Sequence, residues 1–204
     1  MSEISAENIK WYKTDIRDLT DAEYKKWYSL MNEEKQNRVD RFRSDDDKKR
    51  TVAAEMLARK AVAQWCSVSA ESVTFYIGEY GKPYVDYPDV EFNVSHSGNM
   101  VVCAIASKPV GIDIEEIRPV NLKMAKRFCS KREIEYLFGH IPQENELVHT
   151  TDNDLLSRFF KIWTQKEAYL KYIGTGLLCD DLKIDCECSI ITDIPGYIVA
   201  VCSD

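Results

Sequence analysis

The chain predicts an α+β fold: a pseudo-twofold pair of similar halves, each a small antiparallel sheet packed on a long helix, with the active site in the cleft between them. Three observations lead there. Two long helical segments, near 45–65 and 152–173, are each followed by strand-like runs. The stretches "GNMVVCAIAS" and "PGYIVAVCS" echo one another near the ends of the two halves. No low-complexity tract or long linker interrupts 204 residues, enough for one large domain or two small ones with a real core. Lys108 and Pro109 make a short break, which sets the halves at 1–107 and 108–204. Two such halves meeting face to face leave a cleft, where ligand sites tend to lie.

Taken in order, residues 21–43 read as one or two short polar helices with Asp21 as N-cap. Asp45 to Trp65 reads as a stronger helix, acidic in its first turn and carrying Val52, Met56 and Ala63 at helical spacing. "VTFYIGEYGKPYV" is strand, Gly-Lys-Pro turn and strand, and "EFNVSHSGNMVVCAIAS" is a second hairpin turning near "SHSG". "VGIDIEEI" opens the second half as a strand. Helical segments follow at 121–128 and 130–138, then a polar loop at 139–151. The long helix from about Asp152 to Ile173 has an acidic start and ends at Gly174, and strands near 182–190 and 196–202 finish the chain.

Composition narrows the class. At 45% hydrophobic and 30% charged residues the chain is ordinary for a folded globular protein. The start, "MSEISAENIK", has no signal pattern and no apolar run is long enough to cross a bilayer, so a soluble cytoplasmic protein with no membrane partner is expected. Seven cysteines, an odd number without framework spacing, fit a reducing compartment. "CEC" at 186–188 has no second Cys pair or nearby His to complete a metal site. A net charge of −7 argues against a nucleic-acid partner. Yet Lys25, Lys26, Lys35, Arg38, Arg41, Arg43, Lys48, Lys49 and Arg50 crowd one segment. That cluster reads either as a solvated helical face or as an anion site sized for a few phosphates.

The chemistry concentrates in three places. In "VGIDIEEIRP", Ile112 and Ile114 share one strand face while Asp113 and Glu115 share the other. Such carboxylates lie roughly 6.5–7 Å apart at Cα and repel unless something positive sits between them. In "FFKIWTQKEAYLK", Glu167 lies on or beside the apolar stripe of Leu156, Phe160, Trp163 and Leu170, where a carboxylate is costly unless paired or metal-bound. Lys171 follows one turn later, and the plain alternative is an i,i+4 pair worth ~0.2–0.5 kcal/mol. Three oxygen donors that converge suit Mg²⁺ or Mn²⁺. His96 in "FNVSHSG" and Lys82 in "EYGKP" sit in turns, whereas His140 and His149 read as surface residues of the polar loop.

"RFRSDDDKKRTVAAEMLAR", "EYGKPYV", "FNVSHSG", "VGIDIEEIRP" and "FFKIWTQKEAYLKYIGTGL", in this order, resemble the 4′-phosphopantetheinyl transferase superfamily over nearly the whole chain. The length resembles its longer, pseudodimeric, surfactin-synthetase-activating type. The resemblance implies transfer of the phosphopantetheine arm of coenzyme A to a serine of an apo carrier protein, releasing adenosine 3′,5′-bisphosphate. It implies Asp113, Glu115 and Glu167 as ligands of Mg²⁺ (or Mn²⁺), Glu167 as base and Lys171 as stabiliser of the leaving group. For coenzyme A it implies Lys35, Arg38, Thr51, Lys82, Pro83, Ser95, a protonated His96, and Lys166. The partners implied are apo carriers of peptide, polyketide or fatty-acid synthases, met by a monomer, since a pseudodimer has little need to self-associate. Arg38 stands where both Lys and Arg occur in the family, and the sequence after Gly174 is short, which bears on carrier docking. Two other readings use the same residues. One is a metal-dependent phosphohydrolase or nuclease; the other is a non-catalytic module binding coenzyme A or carriers.

Overall fold

The computed structural model describes residues 2–3, 9–78, 81–143, 149–174, 183, 186 and 188–203. Strands β1 (Ser2–Glu3) and β2 (Lys10–Asp15) precede three helices, α1 (Asp21–Ser29), α2 (Glu33–Arg41) and α3 (Asp45–Cys66). The polar run at 21–43 therefore breaks into two helices, and the break has a local cause. Asn32 caps α2 by accepting from the Lys35 N–H at 2.9 Å. Thr20, not Asp21, caps α1: its hydroxyl accepts from the Glu23 N–H while Glu23 reaches back to the Thr20 N–H, a reciprocal capping box.

Two short strands, β3 (Tyr76–Ile77) and β4 (Pro83–Tyr84), make a small exposed hairpin. Then come β5 (Glu91–Ser97), β6 (Met100–Ala106) and β7 (Val110–Glu116), followed by β8 (Val120–Asn121) and the helices α4 (Ala125–Phe128) and α5 (Lys131–Phe138). Part of the expected polar loop is a strand, β9 (His149–Thr150), paired with β8. Helix α6 (Asn153–Ile173) starts at its N-cap Asp152 and stops where Gly174 takes a left-handed φ of 78°. Strands β10 (Ser189–Ile191) and β11 (Tyr197–Ser203) complete the chain. Of the strand expected near 182–190, residues 182, 184, 185 and 187 lie outside the described residues.

Two antiparallel sheets, β1-β2-β6-β5 and β10-β11-β7, carry the molecule. Alternation along each strand sorts the side chains into layers. From β6, Val101, Cys103 and Ile105 pack against Val52, Ala53, Met56 and Leu57 of α3. Their neighbours Val102, Ala104 and Ala106 turn the other way and meet Val110, Ile112 and Ile114 of β7 and Val199 and Val201 of β11. On the far side, Ala200 and Cys202 pack on Ala168 of α6. The order is helix, sheet, sheet, helix, as the paired halves required. β6 and β7 are buried on both faces, so their alternation is less visible in sequence than a half-exposed strand's.

Gly111 decides how closely the fourth layer approaches. A Cβ there would lie 2.0 Å from the Ala168 carbonyl oxygen and 2.4 Å from the Tyr172 nitrogen. Only glycine lets α6 press onto β7 at this point. Beside it, Cys188 and Cys202 are joined by a disulfide, with Cα atoms 4.7 Å apart. The sequence reading, which found no framework spacing among the cysteines, did not foresee this link. It was hidden because the partners are set by the β10–β11 register, in which Ser189 faces Val201, rather than by sequence spacing. Among the described residues Cys66, Cys103 and Cys129 are not joined in a disulfide, the last two of them buried.

Candidate active site

The two sheets meet at their edge strands, β5 and β7, without a backbone ladder between them. Side chains make the junction instead. Asn93 accepts from the Ile112 N–H at 3.0 Å, and Ser97 accepts from the Glu116 N–H at 3.1 Å. Ser95, between them, donates to Asp113 Oδ1 at 2.6 Å. Residues 93, 95 and 97 share one face of β5 because of its period of two. The alternate set, Phe92, Val94 and His96, faces a different place: a cleft of about 170 Å³ under α3.

That cleft is lined by Lys35, Arg38, Thr51, Pro83 and His96 among the residues expected to meet coenzyme A, together with apolar walls from Phe75, Phe92 and Val94. The dispersed basic segment thus contributes two cations, Lys35 and Arg38, to one concave surface. Pro83 reaches it from the β3–β4 hairpin, but the Lys82 ammonium lies 3.6 Å from Glu91 and is not part of the lining. Ser95 also turns away from the cleft, toward β7. His96 stands on strand β5 rather than in the turn, which falls at Gly98 and Asn99. As a residue it is exposed, yet it lines the cleft with protein close around it. Crowding by protein, with the Arg50 and Lys171 cations, holds it below the ordinary histidine value, so the expected protonated state is not favoured by the protein alone. Lys166 is only 4% exposed and pairs with Glu133 of α5 at 3.0 Å, and is not part of the cleft lining.

One residue along β5 from His96, the carboxylates gather. Asp113, 4% exposed, receives both Ser95 and the Lys171 ammonium on Oδ1, each at 2.6 Å. Its other oxygen, Oδ2, is buried and has no hydrogen-bond partner among the described residues. Lys171 also donates to Ser95 Oγ at 2.8 Å. Glu115 is held at both ends: Oε1 accepts the Trp163 indole N–H at 2.9 Å, and Oε2 accepts Ser97 at 2.9 Å. Burial and the Asp113 charge raise its pKa, against the lowering effect of those bonds. Glu167, one turn before Lys171, is pushed up to about 7 by burial, then by Asp113 and Glu115, with Lys171 opposing. The cation in direct contact with Asp113 is Lys171. Among the described residues no three His, Cys, Asp or Glu side chains are drawn together tightly enough to hold an ion as they stand.

Several contributors escaped the sequence reading. Asn93 and Ser97 had a signal in the period-two run "FNVSHS", and Trp163 had one in the need of a buried indole N–H for an acceptor. Glu55 and Arg59 are charges inside the apolar run "AAEMLARKAVA", the same sign of purpose that marked Glu167.

An acidic corner with a carboxylate whose pKa is raised to about 7 thus lies one strand residue away from a cationic cleft, the kind of place where functional sites are found. Two family models match in succession, described as 4′-phosphopantetheinyl transferase, N-terminal, over residues 18–109, and 4′-phosphopantetheinyl transferase superfamily, over 109–199. The chain is 33% identical over 207 residues to 4′-phosphopantetheinyl transferase Sfp of Bacillus subtilis (strain 168), covering 92% of this chain and 88% of that one. It is 40% identical over 149 residues to 4′-phosphopantetheinyl transferase gsp of Aneurinibacillus migulanus, covering 73% and 58%. With 4′-phosphopantetheinyl transferase HetI of Nostoc sp. (strain PCC 7120 / SAG 25.82 / UTEX 2576) it shares 32% over 147 residues, covering 69% and 58%. The chain belongs to the 4′-phosphopantetheinyl transferase superfamily, in its longer, Sfp-like type. It is an enzyme of that class, transferring the phosphopantetheine arm from coenzyme A, its co-substrate, to carrier proteins. No helix among the described residues is long and apolar enough to cross a membrane.

Proposed function

We propose that the α3 cleft takes the phosphates of coenzyme A and that the carboxylate corner carries out the transfer. One observation carries this reading: Glu167 and Lys171 of α6, Asp113 and Glu115 of β7, and Ser95 of β5 lie at one junction, and Ser95 adjoins His96 of the cleft along β5. In the division of labour we infer, residues 1–107 supply the phosphate contacts and residues 108–204 supply the carboxylates and the catalytic helix.

A carrier serine hydroxyl attacks the phosphorus that bears the pantetheine arm. A serine oxygen–phosphorus bond forms, and the bond from that phosphorus to the bridging diphosphate oxygen breaks, releasing adenosine 3′,5′-bisphosphate. Glu167 accepts the hydroxyl proton. A carboxylate with a pKa near 7 suits that task, being largely ionised just above neutrality yet basic enough to keep the proton. Lys171 moves its ammonium from Asp113 toward the oxygen that gains charge as the bisphosphate leaves. Arg38, Lys35 and His96 hold the phosphate end, where an anion would raise the His96 pKa and favour its charged form.

Asp113, Glu115 and Glu167 would hold Mg²⁺ or Mn²⁺. The fit rests on the donor chemistry: three carboxylates at one junction, two of them (Glu115 and Glu167) pushed up by burial and by the Asp113 charge, and a buried Asp113 Oδ2 that has no hydrogen-bond partner among the described residues. Such an ion supplies charge neutralisation for the diphosphate oxygens. In this reading the enzyme is a cytoplasmic monomer acting on apo carriers of peptide, polyketide or fatty-acid synthases.

The test is the intact mass of an apo peptidyl carrier protein after incubation with the enzyme, coenzyme A and Mg²⁺. Gain of one phosphopantetheine, lost with EDTA and with Glu167→Ala, is expected. No gain on peptidyl, polyketide and fatty-acid carriers alike overturns the reading, and hydrolysed coenzyme A in the same mixture would mark a hydrolase.

A further inference from the structure

We propose that Glu55, which touches no reacting atom, is a positioning residue for coenzyme A: it fixes the Lys35 ammonium before the ligand arrives. The inference rests on the assignment of the α3 cleft to coenzyme phosphates. Glu55 projects from the middle of α3 and is 4% exposed. Its Oε2 lies 2.6 Å from Lys35 Nζ at the wall of the cleft, and its Oε1 accepts Arg59 Nε at 2.7 Å. Arg59 is itself buried. Its guanidinium is 5% exposed overall as a residue and donates to three backbone carbonyls, those of Leu30, Ala70 and Val73. These carbonyls belong to the ends of α1 and of the turn after α3, so the chain of contacts is anchored on main chain at its Arg59 end.

Phe75 closes the other side. Its ring lies 5.0 Å from the Lys35 ammonium and 5.4 Å from the Arg59 guanidinium. Lys35 is thereby held from two directions, while Arg38 makes no ion pair among the described residues. A long, free lysine loses rotamer freedom when it grips a phosphate; one already held loses little. Glu55 also subtracts one unit of positive charge from the cleft wall. The two effects oppose each other in sign, which makes the proposal sharp. If net charge governs, removing Glu55 tightens coenzyme binding. If positioning governs, removing it weakens binding although the cleft becomes more positive.

The test uses the full-length enzyme with Glu55→Gln, Lys35→Met and the double variant, titrated calorimetrically with coenzyme A and assayed for transfer. Glu55→Gln keeps an acceptor for Arg59, so the anchor survives. Glu55→Asp keeps the charge and shortens the reach, which removes the electrostatic term from the comparison. Both single Glu55 variants are expected to raise Kd and KM for coenzyme A about three- to tenfold, the equivalent of ordering one long side chain on binding, with kcat within twofold. The double variant should bind no worse than Lys35→Met alone. Tighter binding in Glu55→Gln, additive losses in the double variant, or a lowered Tm with unchanged Kd in both Glu55 variants each overturn the proposal. If Lys35→Met and Arg38→Met leave coenzyme A binding untouched, the cleft assignment has failed and the proposal falls with it; that failure is visible without any Glu55 variant.

Discussion

Lys171 and Asp113 are 58 residues apart, yet the lysine ammonium and Asp113 Oδ1 are 2.6 Å apart, and Ser95 from the other sheet bonds to both. Three elements thus share one hydrogen-bonded triangle. Removing the cation leaves a buried carboxylate with Ser95 as its one remaining partner among the described residues. Lys171→Met is expected to lower kcat about 10²- to 10³-fold, the loss typical of one charge-stabilising donor, while coenzyme A affinity changes far less. Single-turnover transfer to an apo carrier, followed by mass, checks this. Lys171→Arg should recover little, because a planar fork does not fill the place of a compact ammonium.

Trp163 looks like part of the apolar stripe of α6 and packs edge-on against Phe128, with ring centroids 4.7 Å apart. Its indole N–H, however, fixes one oxygen of Glu115 while Ser97 fixes the other. Trp163→Phe keeps the packing and deletes the donor; Ser97→Ala does the same from the opposite side. Each is expected to weaken Mn²⁺ binding, read by electron paramagnetic resonance, by about 10- to 100-fold. Unchanged Mn²⁺ affinity in both variants would mean that Glu115 needs no such support.

Gly111→Ala should be among the most damaging single changes. The added methyl meets main-chain atoms of α6 at 2.0 and 2.4 Å, and no rotamer can relieve a backbone clash. A loss at or beyond the ~3 kcal/mol upper end for overpacking is expected, measured by urea unfolding. Whatever folds would hold α6 off β7 and so separate Lys171 from Asp113. Activity should therefore fall further than the folded fraction does.

Glu167 gives a pH signature. Its folded-state pKa of about 7 lies above the ordinary 4.5, so the fold favours its protonated form. Stability from this group is complete below about pH 4.5 and is lost as pH rises through 7. Solvent screens part of that loss, since the side chain is half-buried. Glu167→Gln should consequently gain about 2–4 °C in Tm at pH 8, the response of a chain this size to ~1 kcal/mol, and almost nothing at pH 5. Differential scanning calorimetry without added metal decides it; an equal shift at both pH values would refute the linkage.

Much of this was legible beforehand because periodicity reports burial. Asp113 and Glu115 stood out from a strand whose other face was Ile112 and Ile114, and Glu167 stood out from an apolar stripe. The two long helices announced themselves through acidic first turns, and α6 also through the glycine at its end. What stayed hidden depends on register and approach between distant elements. Nothing local says that Ser95 turns to β7 while His96 turns to the cleft, or that Lys166 is buried against Glu133. The Cys188–Cys202 link follows from strand pairing that no spacing rule encodes. Thr20 displaced Asp21 as a cap because a hydroxyl with Glu23 three residues on closes a reciprocal pair, a better local solution than an aspartate alone.

The seam between β5 and β7 is fastened by Asn93, Ser95 and Ser97 rather than by a main-chain ladder. Those same three residues aim or accompany the carboxylates of β7. Joining the sheets and building the site are consequently one event with one set of fasteners. A gene cut at the Lys108–Pro109 break would yield two pieces with no residual turnover between them until they reassociate. Drift in either piece that spoiled the seam would silence the whole, which binds the two halves to a shared evolutionary fate.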